Sequence, residues 1–208
     1  MDSIDKLTEI FKEFPGIGER QARRFVYFLM FRNADYANNL SKLILDLKKE
    51  VSQCKDCFKF FLSKKTTSNL CDICSSQNTD SSLLMVVEKD SDLESMHKSK
   101  IYSGKYFILG GLVPIVEKNT KSRVRIEELK NKITSSPKPG QEILREVILA
   151  FSLSPQGEHT DQYVREQIKD ICDEQNIKIS SLGRGLSTGT ELEYSDNDTL
   201  KNALKNRQ

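Results

Sequence analysis

Hydrophobic positions divide the chain into a helical opening, a polar middle and a longer region of short apolar runs. Leu7, Ile10, Phe11 and Phe14 recur at helical spacing, and a second set begins at Ala22, Phe25, Val26 and Leu29. Such spacing lines one face of a helix with apolar side chains. Pro15-Gly16-Ile17-Gly18 interrupts it, so the pattern predicts helix, glycine turn, helix. Residues 34–49 carry Ala37, Leu40, Leu43, Ile44 and Leu47 as another amphipathic helix, expected to pack on the hairpin.

After Asp80 the period changes. Leu83-Leu84-Met85-Val86-Val87 is a continuous apolar run ending at Glu88, the appearance of a strand buried on both faces. Similar runs follow at 106–109, 146–151 and 177–182, with helical spacing at 125–133 and 160–175. Strands alternating with helices predict an α/β fold with a parallel sheet flanked by helices. Beyond residue 182 the chain is glycine-rich, then polar, then briefly helical from Asp198 to Leu204, an appended arm.

The polar middle holds CKDCFKFFLSKKTTSNLCDIC, in which Cys54, Cys57, Cys71 and Cys74 form two C-x2-C pairs. Each pair can present both sulfurs from one tight knuckle, and two knuckles supply the four thiolates of a closed, structural Zn²⁺ site. The alternative is a pair of disulfides or four incidental buried thiols. Disulfides need an oxidising compartment, and the opening MDSIDKLTEI has neither the basic start nor the apolar core of a secretory signal, so the expected location is cytoplasmic. SKKTTSNL reads as an exposed loop tip in which Lys64 and Lys65 either solubilise the loop or touch nucleic acid.

Composition narrows the choice of partners. Of 208 residues 30% are charged and 37% hydrophobic, and no apolar run approaches the roughly 18 residues of a membrane span. The net charge is +2, from 32 basic and 30 acidic residues, so any nucleic-acid contact must come from local clustering. The hairpin offers such a cluster. Gly16 and Gly18 let the backbone approach a phosphate, amides at the second helix's N-terminus point at the anion, and Arg20, Arg23 and Arg24 add charge beside it. Such contacts position a phosphodiester without reading bases. Glu19 opposes an anion there, and the alternatives are a solvated arginine face or a hairpin that packs a neighbouring subunit. Cys172 shares an apolar helix face with Val164, Ile168 and Ile171, which makes it a buried, inert thiol. His97 and His159 have no accompanying nucleophile motif and read as exposed polar residues.

FPGIGERQARRF resembles the helix-hairpin-helix motif of non-sequence-specific DNA-binding proteins. VVEKDSD at 86–92, YFILGGL at 106–112, REVILA at 145–150 and LGRGLSTGTELEYSD at 182–196 resemble the Toprim domain and tail of the bacterial RecR recombination proteins, in which a hairpin and a four-cysteine zinc finger also come first. The resemblance implies a helix-hairpin-helix module at 1–52, a zinc finger at 53–80, a Toprim domain at 81–182 and, at 183–208, an arm that contacts a neighbouring subunit. It implies a homo-tetrameric ring that encircles DNA, single-stranded or gapped, works with RecO and in some cases RecF, and helps RecA displace single-strand binding protein. Arg20 and Arg24 match basic hairpin positions implicated in DNA binding, and Glu158 and Glu88 fall in the Toprim region used for partner contact and activity.

This chain departs from the family at Gln156, where an acid is common, at Ser152, where asparagine is common, and at His159, where a small residue is common. The interval between its cysteine pairs is also longer, which a loop tip tolerates. Toprim domains also occur in topoisomerases, primases and nucleases, so a Mg²⁺-dependent enzyme is the rival reading. Those enzymes pair a glutamate after the first strand with a D-x-D after a later one, because Mg²⁺ prefers clustered carboxylate oxygens. Glu88 fills the first role, whereas Ser152-Leu153-Ser154 offers no carboxylate for the second. Glu88 with Asp90, Asp92 and Glu158 is left as a weak, non-catalytic Mg²⁺ site, and no catalytic residue is assigned.

Overall fold

The computed structural model describes residues 1–63, 69–115, 124–135, 142–183, 189, 191–195 and 197–205. They fall into two compact units, Met1–Val51 and Ser52–Gln208. Lys64 and Lys65 lie outside the described residues.

The first unit is helical: α1 (Ser3–Lys12), α2 (Glu19–Met30) and α3 (Ala34–Glu50). Asp2 caps α1 by accepting from the Asp5 amide at 2.8 Å, and Asn33 caps α3 by accepting from the Tyr36 amide at 3.0 Å. Gly16, at φ +76°, makes the turn between α1 and α2, in a region where a side chain would be strained. The hairpin closes over Thr8, Ala22 and Val26, and Phe11 meets Phe14 and Phe25 with ring centroids 5.8 Å apart. The expectation that α3 packs on this hairpin is met only at its start, where Phe28 and Tyr36 make an edge contact and Arg32 lies over both rings. Further along, α3 buries no residue, and Leu43, Ile44, Leu45 and Leu47 are each more than half exposed.

The second unit opens with a two-stranded sheet of β1 (Val51–Gln53) and β2 (Phe60–Leu62) and the short helix α4 (Asp72–Ser75), which frame the cysteines. Next come β3 (Asp80–Val87), α5 (Asp90–Ser99), β4 (Gly104–Ile108), α6 (Ile126–Thr134), β5 (Glu146–Ala150), α7 (Pro155–Glu174) and β6 (Lys178–Ser181). The four long-range strands pair in parallel in the order β4-β3-β5-β6. A turn at Leu192–Tyr194 and α8 (Asn197–Lys205) follow. Each apolar run expected to be a strand is one.

Alternation along β3 explains why its sequence is apolar throughout. Leu84 and Val86 join Phe107, Leu129, Val147, Leu149, Val164 and Ile168 in one core, while Met85 and Val87 join Leu93, Tyr106, Ile108 and the four cysteines in another. Both faces of the sheet are therefore buried. Two elements differ from expectation. The helix α5 was not marked out by the sequence, being rich in Asp, Ser and Lys with only Leu93 buried. The helix α7 begins at Pro155 rather than Thr160 because Ser154 caps it, accepting from the Gly157 amide at 3.1 Å, and proline suits the first helical turn.

Candidate functional site

The cysteines converge although Cys57 and Cys71 are 14 residues apart in sequence. Among the described residues, Cys54, Cys57, Cys71 and Cys74 form the one group of three or more potential ligands that could hold a metal ion, with all sulfurs within 4.8 Å of one another. The Cys57 and Cys71 sulfurs are 3.5 Å apart, far beyond a disulfide bond, and all four thiols are free. A tetrahedron with metal–sulfur bonds of about 2.3 Å has edges of roughly 3.8 Å, so the donor set fits a thiophilic divalent cation. Cys54, Cys57 and Cys71 are fully buried and Cys74 is 8% exposed, and four sulfur donors complete a tetrahedral set without a coordination position for a substrate water.

Hydrogen bonds within the cluster split the thiols: those from Cys57, Cys71 and Cys74 hold Cys54 far below the usual thiol range, while Cys57 and Cys74 are pushed far above it. The Cys71 amide also points at the Cys54 sulfur at 3.4 Å. Such a cluster is poised to exchange its remaining protons for a cation. Cys172 behaves differently: it is fully buried on α7, and burial pushes its thiol up to about 11.

The cysteine module is built into the edge of the parallel sheet. The Ile108 amide on the edge strand β4 donates to the Cys57 carbonyl at 2.9 Å, and the Phe60 amide donates to Asp90 Oδ1 at 2.8 Å. Phe58, held at φ +65°, packs its ring edge-on against Phe107 at 5.3 Å and lies under the Arg125 guanidinium at 4.9 Å. Lys132 from α6 reaches Asp56 at 2.6 Å. Burial would raise the Asp56 carboxyl, but Lys132 outweighs it and holds the group below the usual carboxylate range. The module thus covers a strand edge that would otherwise expose unpaired backbone groups.

Glu88 sits where the sequence places it, at the carboxyl end of β3 between the two strands that flank it, with its side chain 20% exposed and Lys89 at 3.8 Å. Strand order reverses here, the position at which parallel sheets place ligands. The remaining acids do not gather around it. Asp90 accepts from Phe60, and Asp92 lies further along the first turn of α5. After β5, the Ser152 and Ser154 hydroxyls bond each other at 2.9 Å. Glu158 is exposed on the first turns of α7. That loop is tight, since the Ser152 carbonyl lies against Gly157 with no room for a Cβ.

In the helical unit, α2 starts without a side-chain cap. Gly18 is its N-cap, with φ −84° and no side chain capping the helix, and a Cβ there would meet open space. The first-turn amides are therefore left to solvent or a ligand. Arg20 and Arg24 lie one turn apart and are exposed. Among the described residues neither forms an ion pair, and Arg24 bonds only Gln21, at 3.3 Å. Arg23 differs, lying 3.8 Å from both Asp5 and Glu19. Glu19 is thereby turned partly toward Arg23.

A helical hairpin, a thiol cluster clamped to a sheet edge and a parallel sheet with an acidic switch point make up a modular α/β protein with a Toprim-like sheet. The Toprim domain family model matches residues 82–183, and the model described as RecR, C-terminal, matches 185–208. A recombination protein RecR from Legionella pneumophila (strain Philadelphia 1) is 32% identical over 207 residues, covering 100% of this chain and 96% of the relative. Another from Dehalococcoides mccartyi (strain 195) is 34% identical over 206 residues, covering 99% of this chain and 94% of the relative. The chain belongs to the RecR family of recombination proteins.

Proposed function

We propose that this protein is a zinc-stapled, DNA-binding recombination mediator. It assembles as a homo-tetramer in the cytoplasm, works with RecO and in some settings RecF, and helps load RecA on single-stranded DNA coated by single-strand binding protein. The observation that carries DNA binding is the uncapped N-terminus of α2 beside Arg20 and Arg24, whose charges no acid offsets among the described residues. Such a site grips phosphates without reading sequence. The exposed apolar face of α3 supports self-assembly, because a stripe of Leu43, Ile44 and Leu47 in water is unfavourable until a partner covers it.

The mediator performs no bond chemistry in this reading. Two features favour it over a Mg²⁺ enzyme: Ser152 and Ser154 hold the position where a second carboxylate pair would lie, and Asp90 is engaged by the Phe60 amide. Zinc is the metal we assign to the four thiols, since they form a buried set of four sulfurs within 4.8 Å of one another, the donor set that Zn²⁺ takes tetrahedrally. Replacing Arg20 and Arg24 together by alanine tests the DNA site. The double variant should keep its fold and zinc, bind DNA more weakly, and show a log–log salt slope shallower by about 2 on duplex DNA. Equal affinity before and after the change would remove these residues from the interface.

A further inference from the structure

Lys105 is a charged side chain inside the protein with no carboxylate at ion-pair distance among the described residues. It stands on β4, is only 7% exposed, and sends its ammonium to the carbonyl oxygens of Ile73 at 3.5 Å and Cys74 at 3.4 Å. Those oxygens belong to α4, the short helix that carries Cys74. Lys105 and Cys74 also line one cavity of about 400 Å³. The acids around that cavity are occupied or remote: Asp56 pairs with Lys132, Glu142 lies 3.7 Å from Arg145, and Glu128 is exposed.

Capping accounts for only part of this arrangement. An ammonium can bond the last carbonyls of a helix, but one taken out of water also needs a counter-charge. Separations of 3.4 and 3.5 Å are long for charge-assisted bonds, which run nearer to about 2.8 Å. Four thiolates around a divalent cation leave net negative charge, and no carboxylate within ion-pair reach of Lys105 supplies a competing one among the described residues. We infer that Lys105 is the internal counter-ion of the metal–thiolate centre, acting on it from the Cys74 side. The inference rests on the reading that the four cysteines hold zinc.

A positive charge there draws electron density from the sulfurs, which weakens them as nucleophiles and holds the metal. Cys74 is the ligand such a charge most needs to protect, because the other three have no exposed surface. Lys105 is thus a positioning and tuning residue for the centre, and the cavity is the route by which an electrophile reaches it.

The test uses the full chain, with metal content measured first by elemental analysis. Lys105→Met removes charge and donor, Lys105→Gln removes the charge but keeps a donor, and Lys105→Arg keeps both. Each is treated with N-ethylmaleimide, whose double bond takes a cysteine sulfur at one carbon and a proton from water at the other. Labelled peptides are mapped by mass spectrometry while a chromogenic chelator reports released zinc. Labelling should begin at Cys74, and both neutral variants should react and release zinc about three- to tenfold faster than the parent. The thiolate-to-metal band of the cobalt-substituted protein should move to longer wavelength in the same two variants, with Lys105→Arg close to the parent in every readout. A Gln variant that matches the parent would reduce Lys105 to a helix cap and overturn the inference, as would unchanged rates and spectra in all three. Where the Met variant does not fold, the Gln and Arg pair decides. A parent protein without bound metal would instead overturn the reading of the cysteines.

Discussion

The helical unit and the sheet unit handle apolar surface and charge in opposite ways. In the sheet unit, β3 is covered on both faces, the β4 edge is closed by the cysteine module, and the half-buried charges of Lys132 and Asp56 meet each other. In the helical unit only Thr8, Ala22 and Val26 are buried, Phe31 is 89% exposed and Leu45 and Leu47 are each 61% exposed. Among the described residues no acid pairs with Arg20 or Arg24 there. A core that completes itself serves as scaffold, whereas apolar surface left exposed is available for a partner to cover.

Metal removal should break that contrast most severely. Binding of a structural zinc contributes on the order of 10 kcal/mol in comparable modules, so chelation or Cys57→Ser should unfold the cysteine module and uncover the β4 edge through the lost Ile108–Cys57 bond. Circular dichroism melts should fall sharply, and an unchanged melt after verified metal loss counts against a structural centre. Next in size is Phe107→Ala, which empties the place where the sheet core meets Phe58. Urea unfolding should register a loss of about 3–5 kcal/mol. A loss below 1 kcal/mol, to within measurement error, would mean that the module does not rest on this core.

The smallest stability effect belongs to the helical unit. Leu43→Ser with Leu47→Ser should change the stability of the isolated chain by no more than about 0.5 kcal/mol, since both side chains are already exposed. The mass measured by light scattering should nevertheless drop. If the assembly keeps its mass, the α3 face is not where copies meet.

Much of this was legible in the sequence because it depends on local spacing. The C-x2-C pairs announced the thiol cluster, the apolar run at Leu83–Val87 announced a doubly buried strand, and Pro-Gly-x-Gly announced the hairpin. Relations across long stretches of chain were not legible. Nothing near Asp90 signals that it bonds Phe60, 30 residues away, and nothing near Lys105 signals the Ile73 and Cys74 carbonyls. The start of α7 was missed because Pro155, Gln156 and Glu158 carry no apolar period, although Ser154 before Pro155 is a cap signal. Phe58 adopts a left-handed conformation that tertiary packing imposes on a residue type that rarely takes it. The same limit applies to α3: amphipathic spacing identifies an apolar face without naming what covers it.

The central claim, a mediator that holds DNA and leaves it chemically intact, is tested most directly by incubating the purified protein with gapped DNA and Mg²⁺. One gel then reads both retarded complexes and the integrity and topology of the DNA. The account predicts retardation, weakened by the Arg20→Ala and Arg24→Ala double change, with every strand intact. Cleaved or relaxed DNA that disappears in Glu88→Ala would contradict it and make the switch point of the sheet a catalytic site.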